Sequence, residues 1–597
     1  MSRAVLYCAL ALSVSAWSAL ASGEMYADKD TVPVVASKIG PYFNPSETYP
    51  YYTLPFCAPE KLEHQGHNLG EILSGDRKVV TKFELLFKVP YQFRRLCKKT
   101  LTVDELKQFH TAIDEDWYYE MVIDGLPVWG YVGGIQTPSP ESFSFKTIDE
   151  VDLRAKKFIY THQVFTVAYN GNHIIAVNIT NSFEHRIDVS ALREIEVDFT
   201  YQVNWVESDI PFEQRAEHLQ KAEFLPATFE IHWLSIINTF VLVVLLTVFL
   251  AVILIRVLKN DFTRYMQTDE EEEFLEEESG WKLIHGDVFR FPVNKTLLCA
   301  ILGAGVHLLC TVLLVLVLAL FSVFSPTKKG AMSTVVLVLY ALTSGTSGFV
   351  SSSMYKQMGG ENWVWTTVLT AILLPGPLLA IFSVLNSIAI SYGSSAALPF
   401  GTIMAVFCVY LLVTFPLTVI GAVIGKRRAK PFKAPCRTSK APRQIPEVPW
   451  YRRPLLQFLI AGFMPFSSIY IELHFVFASI WGHKVYTLFG ILLMALTLLL
   501  VVTSFTSVAL TYYQLAVEDH HWWWRSLAYG GASSVFVYAY SFYYYYERSA
   551  MSGLLQTSFY FGYMAYVSYC FFLILGTVGF FSSFTFVKAI YSALKLD

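Results

Sequence analysis

Hydrophobic residues are distributed unevenly along the chain, and their pattern divides it into two parts. Between about residues 24 and 232, short apolar stretches alternate with polar residues, and none reaches the roughly 20 apolar residues that cross a bilayer. Beyond residue 232 the chain consists mainly of long apolar runs. Nine such runs are found, at about 233–255, 297–324, 331–354, 363–392, 401–424, 455–480, 486–512, 526–546 and 554–584. We therefore expect a membrane protein with a β-rich N-terminal domain followed by an all-α bundle of nine transmembrane helices, with eight or ten spans as the alternatives.

The N-terminal region carries the sequence pattern of β-strands. Two alternating stretches, 165–169 and 174–178, flank Asn170-Gly171, a dipeptide that accepts the positive φ angles of a tight hairpin turn. A further alternating stretch at 195–203 adds sheet. These patterns predict a β-sandwich-like domain.

The first residues have the features of a secretory signal. Arg3 precedes an apolar run that ends in small residues near Ala21, so we expect a cleaved signal peptide and a luminal N-terminal domain. The basic stretch from Lys426 to Arg453 then follows an odd number of spans and falls on the cytosolic side, as the positive-inside bias requires. The predicted organisation is a signal peptide at 1–22, a luminal domain at 23–232, a first span at 233–255, a cytosolic acidic loop at 256–296, an eight-helix bundle at 297–584 and a cytosolic tail at 585–597.

Composition narrows the classes of function. Hydrophobic residues make up 54% of the chain and charged residues 16%, and the net charge of −3 lacks the basic excess typical of nucleic-acid binding. The sequence contains no phosphate-binding glycine loop, no metal-ligand spacing and no nucleophile elbow. We therefore predict no nucleic-acid partner, no cofactor, no metal site and no enzymatic activity.

Two covalent modifications are candidates in the luminal domain. Cys57 and Cys97 remain for this domain once the cysteines of the signal peptide, the apolar runs and the basic stretch are set aside. In an oxidising lumen they form either a disulfide or two unpaired buried thiols. The sequon at Asn178-Ile179-Thr180 predicts glycosylation of Asn178.

Polar residues inside the apolar runs are candidate functional groups, because charge in hydrocarbon is costly. They are Glu472, His474, His307 and Asn386. Glu472 and His474 are two positions apart, so on a regular helix they point to nearly opposite sides and do not form a direct pair. Glu472 either fixes helix packing or forms the polar floor of a luminally open cavity for a client's transmembrane segment or a lipid headgroup. Ion or proton translocation is a third alternative.

Three further features concern the bundle and its loops. Pro375-Gly-Pro377 must break or kink the fourth run, because each proline removes a backbone donor. The small residues from Ser344 to Gly348 allow close helix approach, either within the bundle or with a glycine-bearing client span. The acidic run from Asp269 to Glu278 is either a solvated spacer or a docking segment.

Several longer motifs follow one another along the chain. They are Asn44-Pro-Ser-Glu-Thr-Tyr49, Leu54-Pro-Phe-Cys57, Leu69-Gly-Glu71, Gly75-Asp-Arg77, Glu230 to Asn238, His285-Gly-Asp-Val-Phe-Arg290, Gly359-Gly-Glu361, Glu518-Asp519 with Trp522-Trp-Trp-Arg525, and Phe559 to Tyr563. In this order they resemble the nonaspanin family, the transmembrane 9 superfamily, over essentially the whole mature chain. The stretch from Glu230 to Tyr265 is most similar to the branch of that family that contains member 1.

The resemblance implies a non-enzymatic protein of Golgi and endosome membranes that sorts or localises other membrane proteins. It also implies two trafficking signals: a coatomer-binding tail at Lys595 and Asp597, and an export signal at Phe559, Tyr560, Phe561, Gly562 and Tyr563. The implied partners are coatomer, client membrane proteins that bind through transmembrane or luminal contacts, and lipids. The alternative function is a solute, ion or lipid transporter or channel that uses polar groups of the eight C-terminal spans.

Overall fold

The structure is a computed structural model that describes residues 24–66, 68–136, 156–182, 184–215, 233–271, 280–321, 330–447, 453–482 and 489–593. The chain divides into two compact units. The first contains the N-terminal region up to Thr228 together with the short segments Ser325–Gly330 and Gly393–Ala397, and the second contains the rest. The predicted signal peptide and the tail residues Lys595 and Asp597 lie outside the described residues.

The described part of the first unit is mainly β-sheet. Its two helices are short, α1 (Leu69–Leu73) and α2 (Val103–Asp114). Its strands are β1 (Thr31–Pro41), β2 (Val79–Leu86), β3 (Tyr91–Leu101), β4 (Trp117–Ile123), β5 (Leu126–Tyr131), β6 (Gly133–Gln136), β7 (Lys156–Tyr160), β8 (His162–Asn170), β9 (His173–Asn181), β10 (Arg186–Asp188) and β11 (Ile195–Glu207).

The strands form two four-stranded sheets and one three-stranded sheet. Their orders are β2-β1-β4-β5, β3-β11-β8-β9 and β10-β7-β6. The two larger sheets share one apolar core, in which the Phe83 ring of β2 meets Phe165 of β8 and Tyr201 of β11 at centroid distances of 5.2 and 5.3 Å. The β-rich fold predicted for the N-terminal domain is therefore confirmed, with two sheets that face each other.

The hairpin predicted around Asn170-Gly171 is present. Strands β8 and β9 pair antiparallel, Asn170 lies opposite His173, and Gly171 has a φ of +60°. The predicted strand at 195–203 is also present, within β11. Its pairing with β8 is parallel, an arrangement that the alternating pattern alone did not indicate.

The second unit is helical wherever the structure describes it, apart from connecting loops. Its helices are α3 (Trp233–Glu271), α4 (Lys295–Leu320), α5 (Ala331–Gln357), α6 (Trp363–Leu373), α7 (Pro375–Ser391), α8 (Phe400–Val409), α9 (Phe415–Arg428), α10 (Pro454–Ile480), α11 (Phe489–Ala516), α12 (Trp522–Gly531), α13 (Ser533–Tyr543) and α14 (Leu554–Ser592). Helices α8 and α9 are joined by a π-helical turn at Tyr410–Thr414.

Among the described residues, eight helical segments are long and apolar enough to cross a membrane. They are Val243–Thr263, Lys295–Leu320, Ala331–Gln357, Trp363–Ser391, Phe400–Arg428, Pro454–Ile480, Phe489–Ala516 and Leu554–Ser592. They correspond to eight of the nine predicted runs.

The remaining run, predicted at 526–546, forms two shorter helices that meet at Ala532. A Cβ atom on Gly530 would lie 2.3 Å from the Leu575 carbonyl oxygen, so the absence of a side chain lets α12 approach α14 closely. The break explains why this run does not count as one long helix, and nine crossings stays a prediction.

Candidate functional site

The predicted break at the two prolines of the fourth run lies between α6 and α7. Pro375 and Pro377 have no N–H group, so the carbonyl oxygens four residues earlier lose their helical donors. These two oxygens accept hydrogen bonds from tyrosine hydroxyls instead: Ala371 from Tyr410 at 3.1 Å, and Leu373 from Tyr569 at 2.8 Å. The polar backbone exposed by the break is therefore satisfied inside the bundle.

Two of the predicted intramembrane residues have structural partners. His307 on α4 is buried, and its Nε2 lies 2.8 Å from the Tyr340 carbonyl oxygen of α5, so this nitrogen donates. Asn386 on α7 accepts a hydrogen bond from the Leu398 N–H at 2.8 Å and thereby orders the start of the next helix. Both side chains act in contacts between neighbouring elements.

Glu472 and His474 both lie on α10, where each is half-buried. The His474 Nδ1 atom is 3.2 Å from the hydroxyl of Tyr540 on α13. The histidine ring also packs near Tyr544, with a centroid distance of 6.0 Å. His474 thus takes part in an aromatic contact between α10 and α13.

A small cavity lies between α3, α10 and α11. Hydroxyl groups of Thr247, Ser467, Ser468 and Thr506 contribute to its lining. Its volume is about 20 Å³, which is room for about one water molecule. The predicted cavity for a client segment or a lipid headgroup therefore does not correspond to this small space.

The small residues of the third run pack inside the bundle. A Cβ atom on Gly348 of α5 would lie 1.9 Å from the Thr418 carbonyl oxygen of α9. One on Gly421 of α9 would lie 1.9 Å from the Gly345 carbonyl oxygen. Ser344 Oγ also donates to the Thr414 carbonyl oxygen at 3.0 Å. Of the two uses proposed for these residues, internal packing is the one that the bundle contains.

The predicted export signal lies near the start of α14. Phe559 and Tyr560 are buried, whereas Phe561, Gly562 and Tyr563 are half-buried. The Tyr560 hydroxyl donates to the Ser541 carbonyl oxygen at 2.7 Å. Two of these five residues are therefore buried in the bundle, and a sorting role of the segment stays a prediction.

In the first unit, Cys57 and Cys97 form a disulfide with a Cα–Cα distance of 6.0 Å. This resolves the alternative of two free thiols. Asn178 is exposed on β9, so its side chain is open to solvent, and its glycosylation stays a prediction.

Two sequence motifs meet a distant segment within the first unit. Ser394 Oγ donates to the Thr48 carbonyl oxygen at 2.7 Å, and Arg77 Nη2 donates to the Ala397 carbonyl oxygen at 2.7 Å. The segment Gly393–Ala397 belongs to this unit by its contacts. The motifs around Thr48 and Arg77 thus hold a segment that lies more than 300 residues away in sequence.

Two other motifs meet in a polar network at one end of the helical unit. Asp287 Oδ1 accepts from Arg290 Nη2 at 2.7 Å and from Ser439 Oγ at 2.8 Å, and its Oδ2 accepts from the Arg443 N–H at 3.1 Å. Burial alone would raise the pKa of the Asp287 carboxyl, but these hydrogen bonds outweigh it and hold the pKa below its usual value. The carboxylate stays charged and joins two loops.

The same network includes the Glu518-Asp519 motif. Glu518 pairs with Arg443 at 3.1 Å and accepts from the Gly280 N–H at 3.3 Å, while Asp519 pairs with Arg525 at 2.5 Å. Sequence reasoning did not identify this network. Its signal was the presence of the His285–Arg290 and Glu518–Arg525 stretches among the family motifs.

No group of three or more residues suited to hold a metal ion occurs in the described ranges. The polar groups described above form structural ties between helices and loops.

The comparisons with known proteins agree with the motifs. The family model for endomembrane protein 70 matches residues 48–554. Transmembrane 9 superfamily member 2 of Arabidopsis thaliana is 48% identical, over 97% of this chain and 96% of that protein. Member 4 of the same plant is 47% identical (96% and 95%), and member 1 of Mus musculus is 43% identical (96% and 94%).

No solved structure matches the chain. These relatives match 96–97% of the chain and the family model matches residues 48–554, so both include the β-rich unit and the helical unit. This chain belongs to the transmembrane 9 superfamily, the family of endomembrane protein 70.

Proposed function

We propose that this chain is a non-enzymatic protein of Golgi and endosome membranes that sorts or localises other membrane proteins. In this proposal the luminal domain and the helices contact client membrane proteins. Coatomer retrieves the protein through the C-terminal Lys595 and Asp597.

The hydrogen bonds to the carbonyl oxygens at the break in the fourth predicted span are the observation that most favours this function over transport. Transporters bind solutes at broken helices because unpaired backbone groups are available there. Here the carbonyl oxygens of Ala371 and Leu373 already accept hydrogen bonds from Tyr410 and Tyr569. His307 is likewise tied to the Tyr340 backbone. The features that favoured a transporter therefore have structural partners, and sorting by contact is the better-supported function.

The first span provides a lateral surface for such contacts. Only 6% of its apolar window is buried within the chain, and exposed side chains include Leu245, Phe249 and Ile255. In a bilayer this face meets lipid or the transmembrane segments of other proteins, because no part of the described bundle covers it.

The tail is tested by locating a luminally tagged full-length protein in cells, with Lys595 and Asp597 both replaced by Ala. We expect the double variant to move from the Golgi to the cell surface or to lysosomes, with more mature glycans. Asp597→Glu keeps the carboxylate and should keep the Golgi location. If the double variant and the unchanged protein show the same distribution, coatomer retrieval through this tail is wrong.

The transport alternative is tested separately, with purified protein in sealed vesicles. Flux of an ion or solute that Glu472→Gln abolishes, without loss of folded protein, would favour the transporter. Mislocalised client proteins in cells carrying Glu472→Gln, without any flux in vesicles, would favour sorting.

A further inference from the structure

The loop after α9 carries an unusual concentration of positive charge. We call residues 426–443 the basic loop. It contains no aspartate or glutamate. Its cations are Lys426, Arg427, Arg428, Lys430, Lys433, Arg437, Lys440 and Arg443.

Two cations of the basic loop have partners in the described structure, and the others do not. Arg443 pairs with Glu518, and the Lys426 ammonium lies 4.7 Å from the centre of the Trp363 ring. The remaining six are exposed and form no ion pair with any described residue. They are Arg427, Arg428, Lys430, Lys433, Arg437 and Lys440.

The backbone of the basic loop is anchored to the helical unit. The Phe432 ring packs against Phe289 and Phe584 at centroid distances of 5.7 and 5.6 Å. Cys436 is buried, and the Ser439 N–H donates to the Gly286 carbonyl oxygen at 2.8 Å. The six exposed cations are therefore presented from an anchored backbone.

The position of the loop relative to the bilayer follows from the helix before it. Lys426, Arg427 and Arg428 form the last turn of α9, which belongs to the apolar segment Phe400–Arg428. Another cation, Lys588 of α14, places its ammonium 5.8 Å from the centre of the Phe432 ring. The cations thus lie where a span leaves the hydrocarbon, at the level of lipid headgroups.

A topological anchor requires positive charge beside a span, but it does not require that the charges be held on an anchored loop. Phosphomonoester groups accept charge-assisted hydrogen bonds from Arg and Lys, and several neighbouring cations match a headgroup with several negative charges. We propose that the basic loop binds the phosphorylated headgroups of inositol phospholipids in the leaflet that it faces. This site does not depend on the sorting function.

The test uses the full-length protein in phosphatidylcholine nanodiscs, with dioctanoyl phosphatidylinositol 4-phosphate as the probe. The variant carries Lys430→Gln, Lys433→Gln and Arg437→Gln, which lie beyond the last helical turn. Each cation near an anionic surface contributes roughly a fivefold gain in affinity, so the variant should bind the probe at least about tenfold more weakly. Binding to both proteins should weaken with added salt.

Two matched variants control for charge and for folding. Arg95→Gln with Lys98→Gln and Lys107→Gln removes the same number of Lys and Arg residues from the first unit, where all three are ion-paired, and should leave probe binding unchanged. Lys430→Arg with Lys433→Arg and Arg437→Lys keeps the charge and should bind within about twofold of the unchanged protein. If the triple Gln variant aggregates, the single Lys433→Gln variant should still show about a threefold to fivefold loss.

Two results would overturn the proposal. The first is equal probe binding by the unchanged protein and by folded Gln variants. The second is a protein that binds the probe only after the glutamates of the acidic run at 269–278 are replaced by Gln. That result would identify this run of the same chain, and not a lipid, as the occupant of the basic loop.

Discussion

The two units are stabilised by different kinds of side chain. The core of the first unit consists of aromatic and branched residues, such as Phe83, Phe165 and Tyr201 between the two larger sheets. In the second unit, α5 and α9 meet where Gly348 and Gly421 have no side chain, so that backbone touches backbone. Water drives apolar residues together in the first case. Lipid provides no such force, so close packing and hydrogen bonds must hold helices together in the second.

The difference extends to polar groups. Hydroxyl groups in the helical unit mostly donate to backbone oxygens within the apolar bundle, as Ser344 and Tyr569 do. In the first unit, charged pairs such as Arg95 with Asp198 lie on the exposed outer surface, and a disulfide joins two segments. A substitution should therefore affect each unit through its own type of contact.

The largest effect is expected from removing the covalent link of the first unit. Cys57→Ala with Cys97→Ala opens a loop whose ends are 40 residues apart, and the entropy gained by the unfolded chain should cost this unit about 4 kcal/mol of stability. Hydrogen exchange of β3 and β11 amides in the full-length protein measures the loss. Cys408→Ala, at an exposed and unpaired cysteine of α8, is the control. Unchanged exchange in the double variant would show that the disulfide is dispensable.

The next effect concerns the backbone contact of the second unit. Gly348→Ala places a methyl group 1.9 Å from the Thr418 carbonyl oxygen, which is rigid backbone, and should cost about 3 kcal/mol by forcing α5 and α9 apart. Gly345→Ala on the same helix meets only an ordinary contact at 3.4 Å and should cost little. Thermal unfolding in detergent, monitored by size-exclusion chromatography, compares the stabilities of the two variants. Equal stability of both variants would contradict the packing argument.

The smallest effect is a pH dependence that arises from a histidine of the first unit. His162 is buried beside Thr200 of β11 and stacks on Phe93 of β3, and its ring centroid is 4.8 Å from that of His185. Burial lowers the pKa of His162, and repulsion from His185 lowers it further, while a hydrogen bond with Gln202 opposes both.

The lowered pKa fixes the sign of this dependence. The unfolded chain binds a proton at His162 more readily than the folded chain does. The stability that the neutral His162 ring contributes is therefore fully present above pH 6.5, and it is lost as the pH falls towards the lower pKa of the folded protein. Melting temperatures of the full-length protein at about pH 7.5 and pH 5 should show the loss. His185→Gln should reduce it, and an identical pH profile in that variant would remove His185 from the explanation.

The sequence predicted local elements better than distant contacts. Long apolar runs identified the helices, because about 20 apolar residues have no other stable environment than a bilayer. The Asn170-Gly171 dipeptide identified a hairpin, because its backbone preference is local. The cysteine count left the disulfide open, since two thiols in one domain need not be neighbours, and only the fold brings Cys57 to Cys97.

The contacts that sequence reasoning missed all join residues far apart in the chain. The parallel pairing of β8 with β11 and the tyrosine donors at the helix break depend on which elements become neighbours. Hydrophobic periodicity does not contain that information. The family motifs did mark several of these positions, including Thr48, Arg77 and Asp287, but a motif does not state which partner its residues contact.

The contact between Thr48 and Ser394 has a consequence for biosynthesis. The two residues are 346 positions apart, and ribosomes add about 5–20 residues per second, so roughly 20–70 s separate their synthesis. During that interval the β-rich unit has been synthesised without the segment that completes it. Chaperones thus have a defined period in which to act on an unfinished unit, and a chain truncated before residue 394 would expose the unfilled surface to quality control.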